Sequence, residues 1–179
     1  MFLHLDISAN DVFVKGIRFV NNAGPDGGQA VALRVAGDRI AIYQCSIKGY
    51  QDTLLTAYGI HFFFRECEVY GTVDSIFGNS RVVLQNCDIY VRKRTEGTVN
   101  MIIAQSRGQV EDTGIVLHNC SIKADKDLQP YPLKRIKYEI RLGKPNRPMS
   151  MGPKKVEPIL CVGPLTERRP KLAHHISDS

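Results

Sequence analysis

Leu84-Gln85-Asn86-Cys87-Asp88-Ile89 is one of four versions of a short phrase in this sequence: a cysteine, one polar residue, then isoleucine or valine. The other versions are Tyr43-Gln44-Cys45-Ser46-Ile47, Phe64-Arg65-Glu66-Cys67-Glu68-Val69 and Leu117-His118-Asn119-Cys120-Ser121-Ile122. The steps from cysteine to cysteine are 22, 20 and 33 residues. A period of roughly twenty residues, with one short alternating strand per unit, predicts a solenoid of stacked coils.

The alternation within each phrase indicates which side chains face the core. Residues i and i+2 of a strand lie on the same face, so each cysteine and the Ile or Val after it stack on their counterparts in the next coil. A free cysteine suits that place because it behaves as a small buried hydrophobe. Ile17-Arg18-Phe19 fits the same frame with Ile in the cysteine position. The 33-residue step predicts an insertion within residues 90–113.

We therefore interpret the body of the chain as part of a parallel β-helix in an all-β protein. An antiparallel sandwich of short strands is the competing interpretation. It explains the strands but not the recurrence of a cysteine in a constant context. A disulfide among the four cysteines is compatible with the pattern, although the stacked arrangement needs none.

Charge and proline divide the chain near Leu128. Residues 1–128 contain 13 Lys and Arg and 14 Asp and Glu, a net charge of −1. Residues 129–179 contain 11 Lys and Arg and 4 Asp and Glu, a net charge of +7. The second segment therefore accounts for the whole positive net charge of +6. Eight of the nine prolines also lie after residue 128. Because proline breaks helices and strand ladders, we expect an irregular basic tail over residues 129–179, more typical of a solvated appendage than of a nucleic-acid-binding module.

The sequence excludes a transmembrane protein, because no apolar run approaches the ~18 residues of a membrane helix. No signal peptide is visible, since the N-terminal residues lack the basic segment and long apolar run of a secretion signal. There is no CxxC pair, HExxH, GxSxG or phosphate-binding glycine pattern.

Polar residues inside otherwise apolar phrases mark a candidate site. Gln51 and Asp52 separate two apolar runs, Asp74 lies in a second such phrase, and Gln29 opens a third. Asp52 and Asp74 each follow the cysteine of their coil by seven residues, so we expect their side chains to be neighbours on one face of the solenoid, with coils ~4.8 Å apart.

Two adjacent carboxyl groups do not ionise together easily, so one pKa rises while the other stays low. That asymmetry suits a nucleophile or base paired with a general acid, and nearby Gln amides can stabilise an oxyanion. The alternative is that both aspartates are turn residues whose side chains bond the local backbone.

These motifs resemble those of the plant-type pectinesterases (pectin methylesterases). The similar stretches are Asn21–Arg34, Tyr50–Leu54, Gly71–Asn79, which has Ser75 where Phe is usual, and Asn100–Arg107. The resemblance covers roughly residues 10–128 and implies a right-handed parallel β-helix that removes methyl esters from homogalacturonan.

The resemblance also implies roles for individual residues. Asp74 is expected to be the nucleophile, Asp52 the general acid and then base, and Gln51 with Gln29 the oxyanion donors. Tyr50 and Phe77 are expected to line the sugar-binding groove. The resemblance implies no metal and no cofactor. Pectin and proteinaceous inhibitors are the expected partners. Neither a membrane nor a nucleic acid is an expected partner. Secretion to the cell wall is expected on the same basis.

The sequence departs from the family pattern after residue 128. The family has a Leu-Gly-Arg-Pro-Trp phrase, and the nearest stretch here is Leu142-Gly143-Lys144-Pro145-Asn146. Lys144 would take the place of the Arg beside the nucleophile, and Lys lacks the planar fork of Arg. We therefore expect the chain to be a fragment with a divergent tail. An inactive relative that only binds pectin is the main alternative function, ahead of a polygalacturonase or lyase.

Overall fold

A computed structural model describes residues 2–3, 5–95, 99–106, 112–128 and 137–141. Nearly all regular structure in these segments is β-strand, and a 3-10 helix, Lys126–Leu128, lies near the end. No helix in this part of the chain is long and apolar enough to cross a membrane. The strands are β1 (Phe2–Leu3), β2 (Asp6–Ile7), β3 (Phe13–Lys15), β4 (Arg18–Val20), β5 (Ala30–Val31), β6 (Leu33–Val35), β7 (Ile40–Tyr43), β8 (Ser46–Lys48), β9 (Leu54–Arg65), β10 (Glu68–Gly71), β11 (Ile76–Gln85), β12 (Asp88–Val91), β13 (Val99–Gln105), β14 (Gly114–His118), β15 (Ser121–Ala124) and β16 (Lys137–Arg141).

Every pairing between the described strands is parallel. One sheet places β4, β8, β10, β12 and β15 side by side, and a larger sheet contains β2, β6, β9, β11, β13 and β16. In the larger sheet β7 pairs with β9, β3 pairs with the other side of β7, and β14 lies beside β11. Neighbouring strands therefore come from successive coils, which is the arrangement of a parallel β-helix. The antiparallel alternative is wrong.

The core consists of side-chain columns that run from coil to coil. Leu33, Leu54, Ile76 and Ile103 are successive partners in one column, and each is fully buried. Burying an aliphatic side chain of this size contributes ~1.5–3 kcal/mol, so each coil is stabilised mainly by its neighbours.

The cysteine phrases occupy the same place in successive coils, as predicted. Cys45, Cys67, Cys87 and Cys120 are buried and carry free thiols. The residue after each cysteine pairs with its counterpart in the next coil: Ser46 with Glu68, Glu68 with Asp88, and Asp88 with Ser121. The stack of thiols forms without a disulfide between them.

The residue before each cysteine turns the chain from one sheet to the other. Gln44, Glu66, Asn86 and Asn119 have φ angles of 51°, 53°, 54° and 52°, and Gly16 has 69° at the equivalent place. One left-handed residue between two extended segments makes a sharp corner, which Asn and Gly adopt more readily than Gln or Glu. The polar residue before each cysteine is thus part of the fold.

Each coil contains more strand than the sequence indicated. Strands β6, β7 and β8 belong to a single coil, so one strand per coil was too few. Only the strand that follows the cysteine is marked by a constant residue, the cysteine directly before it. The other segments keep their register through apolar residues that vary from coil to coil, so no repeated phrase reveals them.

The long cysteine step corresponds to extra residues on both sides of β13. Strand β11 begins five residues after β10 ends and continues unbroken, whereas β13 begins eight residues after β12 ends and stops well before β14. These positions fall within the predicted insertion over residues 90–113; residues 96–98 and 107–111 lie outside the described segments.

The sheet continues beyond the predicted boundary at Leu128. Strand β16 pairs in parallel with β13, so at least this part of residues 129–179 is regular. Residues 137–141 alternate polar and apolar types, a strand pattern that the high proline content of the tail obscured. The remaining residues of the predicted tail lie outside the described segments.

Candidate active site

Asp52 and Asp74 occupy equivalent corners of adjacent coils. Leu54 pairs with Ile76, and each aspartate precedes its strand by two residues. The Asp52 N–H donates to the carbonyl of Val73 over 2.9 Å, which ties the two corners together directly. The structure thus brings the two predicted carboxyl groups into neighbouring coils.

Both aspartates have left-handed backbone, with φ of 63° at Asp52 and 50° at Asp74. Asp adopts this conformation more readily than most residues, but a non-glycine residue there still carries a conformational cost of ~1–2 kcal/mol. Hydrogen bonds between coils hold the corners: Thr72 N–H donates to Tyr50 O over 2.8 Å, and Leu54 N–H donates to Ser75 O over 3.0 Å. Strained backbone maintained in this way is common at functional sites.

The two carboxyl groups differ in environment. Asp52 is buried, with 4% of its surface exposed, whereas Asp74 is half-buried. Burial, followed by the negative charge of Asp74, raises the pKa of Asp52 from 3.8 to about 6. One oxygen of each carboxyl group, Oδ1, is buried, and that of Asp52 accepts no hydrogen bond from the described residues. Asp52 can therefore hold a proton at weakly acidic pH and release it near pH 6.

Gln29 and Gln51 lie beside this pair. They form a parallel bridge between adjacent coils, and Ala30 N–H donates to Gln51 O over 3.1 Å. Gln51 directly precedes Asp52 and is half-buried, while Gln29 is exposed. The backbone thus places the two predicted glutamines side by side in neighbouring coils, and Gln51 is next to Asp52 in the chain.

A pocket of about 250 Å³ opens next to Gln51. Its walls include Thr72 and Val73, which lead directly to Asp74, and Arg94 from the segment after β12. The rest of the lining is Pro25, Asp26, Gly28 and Thr95. Neither Asp52 nor Asp74 lines this pocket, which reaches the site through their chain neighbours Gln51 and Val73. A concave space with polar walls is suited to a polar small molecule or part of a polymer.

The predicted sugar-binding residues have different surroundings. Tyr50 is half-buried, and the Arg92 guanidinium covers one face of its ring, 3.8 Å from the ring centroid. Phe77 is half-buried in β11, where it pairs with Leu55 and Ala104. Lys144 lies outside the described residues.

Sequence reasoning missed Arg92 and Arg94. Both belong to the basic triplet Arg92-Lys93-Arg94, which directly follows the strand β12. Because residues 1–128 are otherwise nearly balanced in charge, this basic triplet was the sequence signal that could have revealed the two arginines. Among the described residues, no three His, Cys, Asp or Glu side chains are grouped to hold a metal ion.

Fold and site together define a parallel β-helix protein with paired carboxyl groups and amides at equivalent corners of adjacent coils. The family model described as Pectinesterase matches residues 4–152. The chain belongs to the pectinesterase family.

Curated relatives are similar over much of this chain. "Probable pectinesterase/pectinesterase inhibitor 12" of Arabidopsis thaliana is 50% identical over 125 residues, which are 69% of this chain and 23% of the relative. "Pectinesterase 2" of Citrus sinensis is 46% identical over 125 residues, 69% of this chain and 24% of the relative. The chain thus spans about a quarter of the length of these relatives.

Solved structures give the same similarity. The pectin methylesterase from carrot has a TM-score of 0.69 and 37% identity over 80% of this chain and 50% of that one. A pectin methylesterase mutant in complex with a hexasaccharide has a TM-score of 0.68 and 30% identity over 84% of this chain and 48% of that one. About half of each solved chain is therefore covered.

Proposed function

We propose that this chain carries the hydrolytic site of a pectinesterase, a carboxylic ester hydrolase that removes methyl groups from homogalacturonan and releases methanol. The observation that carries the proposal is the pairing of a half-buried Asp74 with a buried Asp52 whose pKa is raised to about 6. An ester hydrolase needs a nucleophile that substrate can reach and a proton donor for the leaving alcohol.

Asp74 is the proposed nucleophile. Its carboxylate attacks the C6 carbonyl carbon of a methylated galacturonate residue and forms a tetrahedral intermediate. When this intermediate collapses, the bond to the methoxy oxygen breaks, Asp52 gives its proton to that oxygen, and methanol leaves. An acyl-enzyme on Asp74 remains.

Asp52 then acts as a base. Its carboxylate takes a proton from water, the hydroxide oxygen attacks the acyl carbon, and cleavage of the bond to Asp74 releases the free galacturonate carboxyl group. Protonated Asp52 and ionised Asp74 are restored. A group with a pKa of about 6 can serve both half-reactions at weakly acidic pH.

The amides of Gln51 and Gln29 are the proposed donors to the oxyanion. Their bridge in adjacent coils, next to the aspartates, supports this role. Tyr50 and Phe77 are proposed to contact the sugar chain, Tyr50 with the part of its ring that Arg92 leaves open, and Lys144 to stabilise the ionised nucleophile. We also infer that the substrate chain enters the pocket beside Gln51.

The names of related proteins support a proposal on partners and location. One related structure is a complex with a hexasaccharide, and relatives carry names that join pectinesterase with pectinesterase inhibitor. We infer that methylated pectin is the substrate, that proteinaceous inhibitors recognise this fold, and that the site operates in the cell wall.

The test is release of methanol from methylated pectin by the chain and by three variants. Asp74→Asn should abolish release and Asp52→Asn should reduce it at least ~100-fold, because a well-placed acid–base group contributes ~10²–10⁴-fold. Asp88→Asn is the matched control, since Asp88 pairs with Lys123 outside the site. Equal release by the wild-type chain and the Asp74 variant would contradict the proposal.

A further inference from the structure

The Arg92 side chain joins three coils at the edge of the candidate site. Its Nη2 donates to the Tyr50 hydroxyl and its Nη1 to the Gly49 carbonyl, each over 2.9 Å. Its Nε donates to Asp125 Oδ2 over 3.1 Å. The guanidinium also lies over the Tyr50 ring, 3.8 Å from the centroid. All three guanidinium nitrogens are thus engaged within the chain.

The two residues that Arg92 contacts directly precede the site. Gly49 and Tyr50 lead into Gln51 and Asp52, and Tyr50 O accepts the hydrogen bond from Thr72 that links this corner to the next coil. Fixing the Gly49 carbonyl and the Tyr50 side chain restricts the backbone just before the left-handed turn at Asp52. A displacement there would move the Gln51 amide and the Asp52 carboxyl group together.

The charge of Arg92 is compensated from its other side. Asp125 pairs with Nε, and Asp127 Oδ2 lies 3.7 Å from the same atom. Asp125 is itself held by its N–H, which donates to Val91 O over 2.9 Å. A guanidinium that already faces two carboxylates is poorly suited to bind a substrate carboxylate, so its contacts favour a role in holding the corner.

We propose that Arg92 is a positioning residue for the ester hydrolysis proposed above: it holds the Gly49–Asp52 corner so that the Gln51 amide and the Asp52 carboxyl group meet the transition state. This inference rests on the proposed function of the same site. Lys cannot replace Arg fully, because the planar fork reaches Tyr50, Gly49 and Asp125 at once. A structural strut without influence on the site is the alternative.

Three variants distinguish these roles. Arg92→Gln removes the fork, Arg92→Lys keeps the charge, and Arg81→Gln is the matched control. Arg81 makes a comparable bridge to the next coil, donating to Asp112 O over 2.6 Å and to Asp112 Oδ2 over 2.9 Å, away from the site.

Steady-state kinetics on methylated pectin give the first measurement. For Arg92→Gln we expect kcat to fall at least ~10-fold, since a ~1 Å misplacement can cost ~100-fold. KM should rise by a smaller factor, because Tyr50 is also a proposed sugar contact while the main loss is in the transition state. Arg92→Lys should be intermediate and Arg81→Gln should match wild type. Unchanged kcat per folded molecule, or a rise confined to KM, would overturn the proposal.

Hydrogen exchange gives a second measurement that does not depend on activity. The amides of Gly49, Asp52 and Leu54 bond to the next coil, and their exchange should accelerate in Arg92→Gln but not in Arg81→Gln. Unchanged exchange at these amides would overturn the positioning role. Absence of methanol release from the wild-type chain would instead contradict the proposed function. The hydrogen-exchange result would then decide by itself whether Arg92 holds the Gly49–Asp52 corner.

Discussion

The carboxyl group of Asp52 lies one coil before that of Asp74, and the charge of Asp74 adds to burial in raising the pKa of Asp52 to about 6. The two residues have the same offset from their cysteines, yet Asp52 is buried and Asp74 is half-buried. The repeat thus places the two aspartates at equivalent positions, and their surroundings give them different burial. That inequality allows neighbouring carboxyl groups to take different chemical roles.

The first prediction concerns this coupling. In Asp74→Asn the pKa of Asp52 should fall below about 6 and stay above the ordinary value of 3.8, because burial, the larger cause, remains. Carboxyl carbon chemical shifts followed by NMR across a pH titration would measure the change. Asp88→Asn should leave the Asp52 titration where it is in the wild type. An unchanged Asp52 pKa in Asp74→Asn would show that the two groups do not interact.

The second prediction concerns the stability of the fold. The pKa of Asp52 is higher in the folded state than in the unfolded chain, so its contribution is most favourable below pH 3.8 and is lost as the pH rises through about 6. Asp52→Asn should therefore raise the free energy of unfolding by about 3 kcal/mol at pH 7.5 relative to wild type. Below pH 3.8, where Asp52 is protonated in both states, the difference should be small.

Chemical denaturation at the two pH values tests this directly. Asp88→Asn serves as control, since Asp88 is paired with Lys123 and should show no gain at pH 7.5. A variant at Asp52 that is no more stable than wild type at pH 7.5 would mean that ionisation of this buried group costs nothing in the fold. A gain in stability with a loss of methanol release would be the trade-off expected of a catalytic residue.

The cysteine spacing was sufficient to predict the register of the coils and the proximity of the two aspartates. Both follow from counting, because strictly stacked coils convert equal offsets into adjacency. The same counting cannot give the burial of Asp52, which depends on what covers each corner. It also cannot give the contact of Arg92 with Tyr50, since these residues are 42 positions apart and neither belongs to a repeated phrase.

The third prediction concerns Gly78 in β11. Its φ is 128°, and a Cβ built there would lie 1.9 Å from the backbone oxygen of Thr56 in the neighbouring strand. Because a backbone atom of a paired strand cannot move aside cheaply, Gly78→Ala should destabilise the protein by more than ~3 kcal/mol, an exceptional value for one methyl group. Thermal unfolding would measure it.

Gly114→Ala is the matched control, in a strand that also pairs with β11. A Cβ at Gly114 would meet no atom within 4 Å, and its backbone is not left-handed. Alanine there should be neutral or stabilise slightly, by ~0.4–1 kcal/mol through the unfolded state. Similar melting temperatures for the two variants would contradict the close approach of the coils at Gly78.

The fourth prediction concerns the reactivity of the stacked thiols. Cys87 has 1% of its surface exposed, and its contacts with Cys120 and Cys67, together with burial, raise the pKa of its thiol. Since the thiolate is the reactive form, Cys87 should resist alkylation in the folded protein. At pH 8, iodoacetamide should modify it at least ~100-fold more slowly in native buffer than in denaturant, because both access and ionisation oppose the reaction.

Peptide mapping by mass spectrometry would follow Cys87 separately from the other cysteines. Its modification in native buffer should accelerate in Gly78→Ala, because opening of the stacked coils exposes the thiol. If Cys87 were labelled as rapidly in the folded wild type as in denaturant, the thiol stack would not lie in a closed core. That result would contradict the stacking of buried cysteines in successive coils, from which the coil arrangement was predicted.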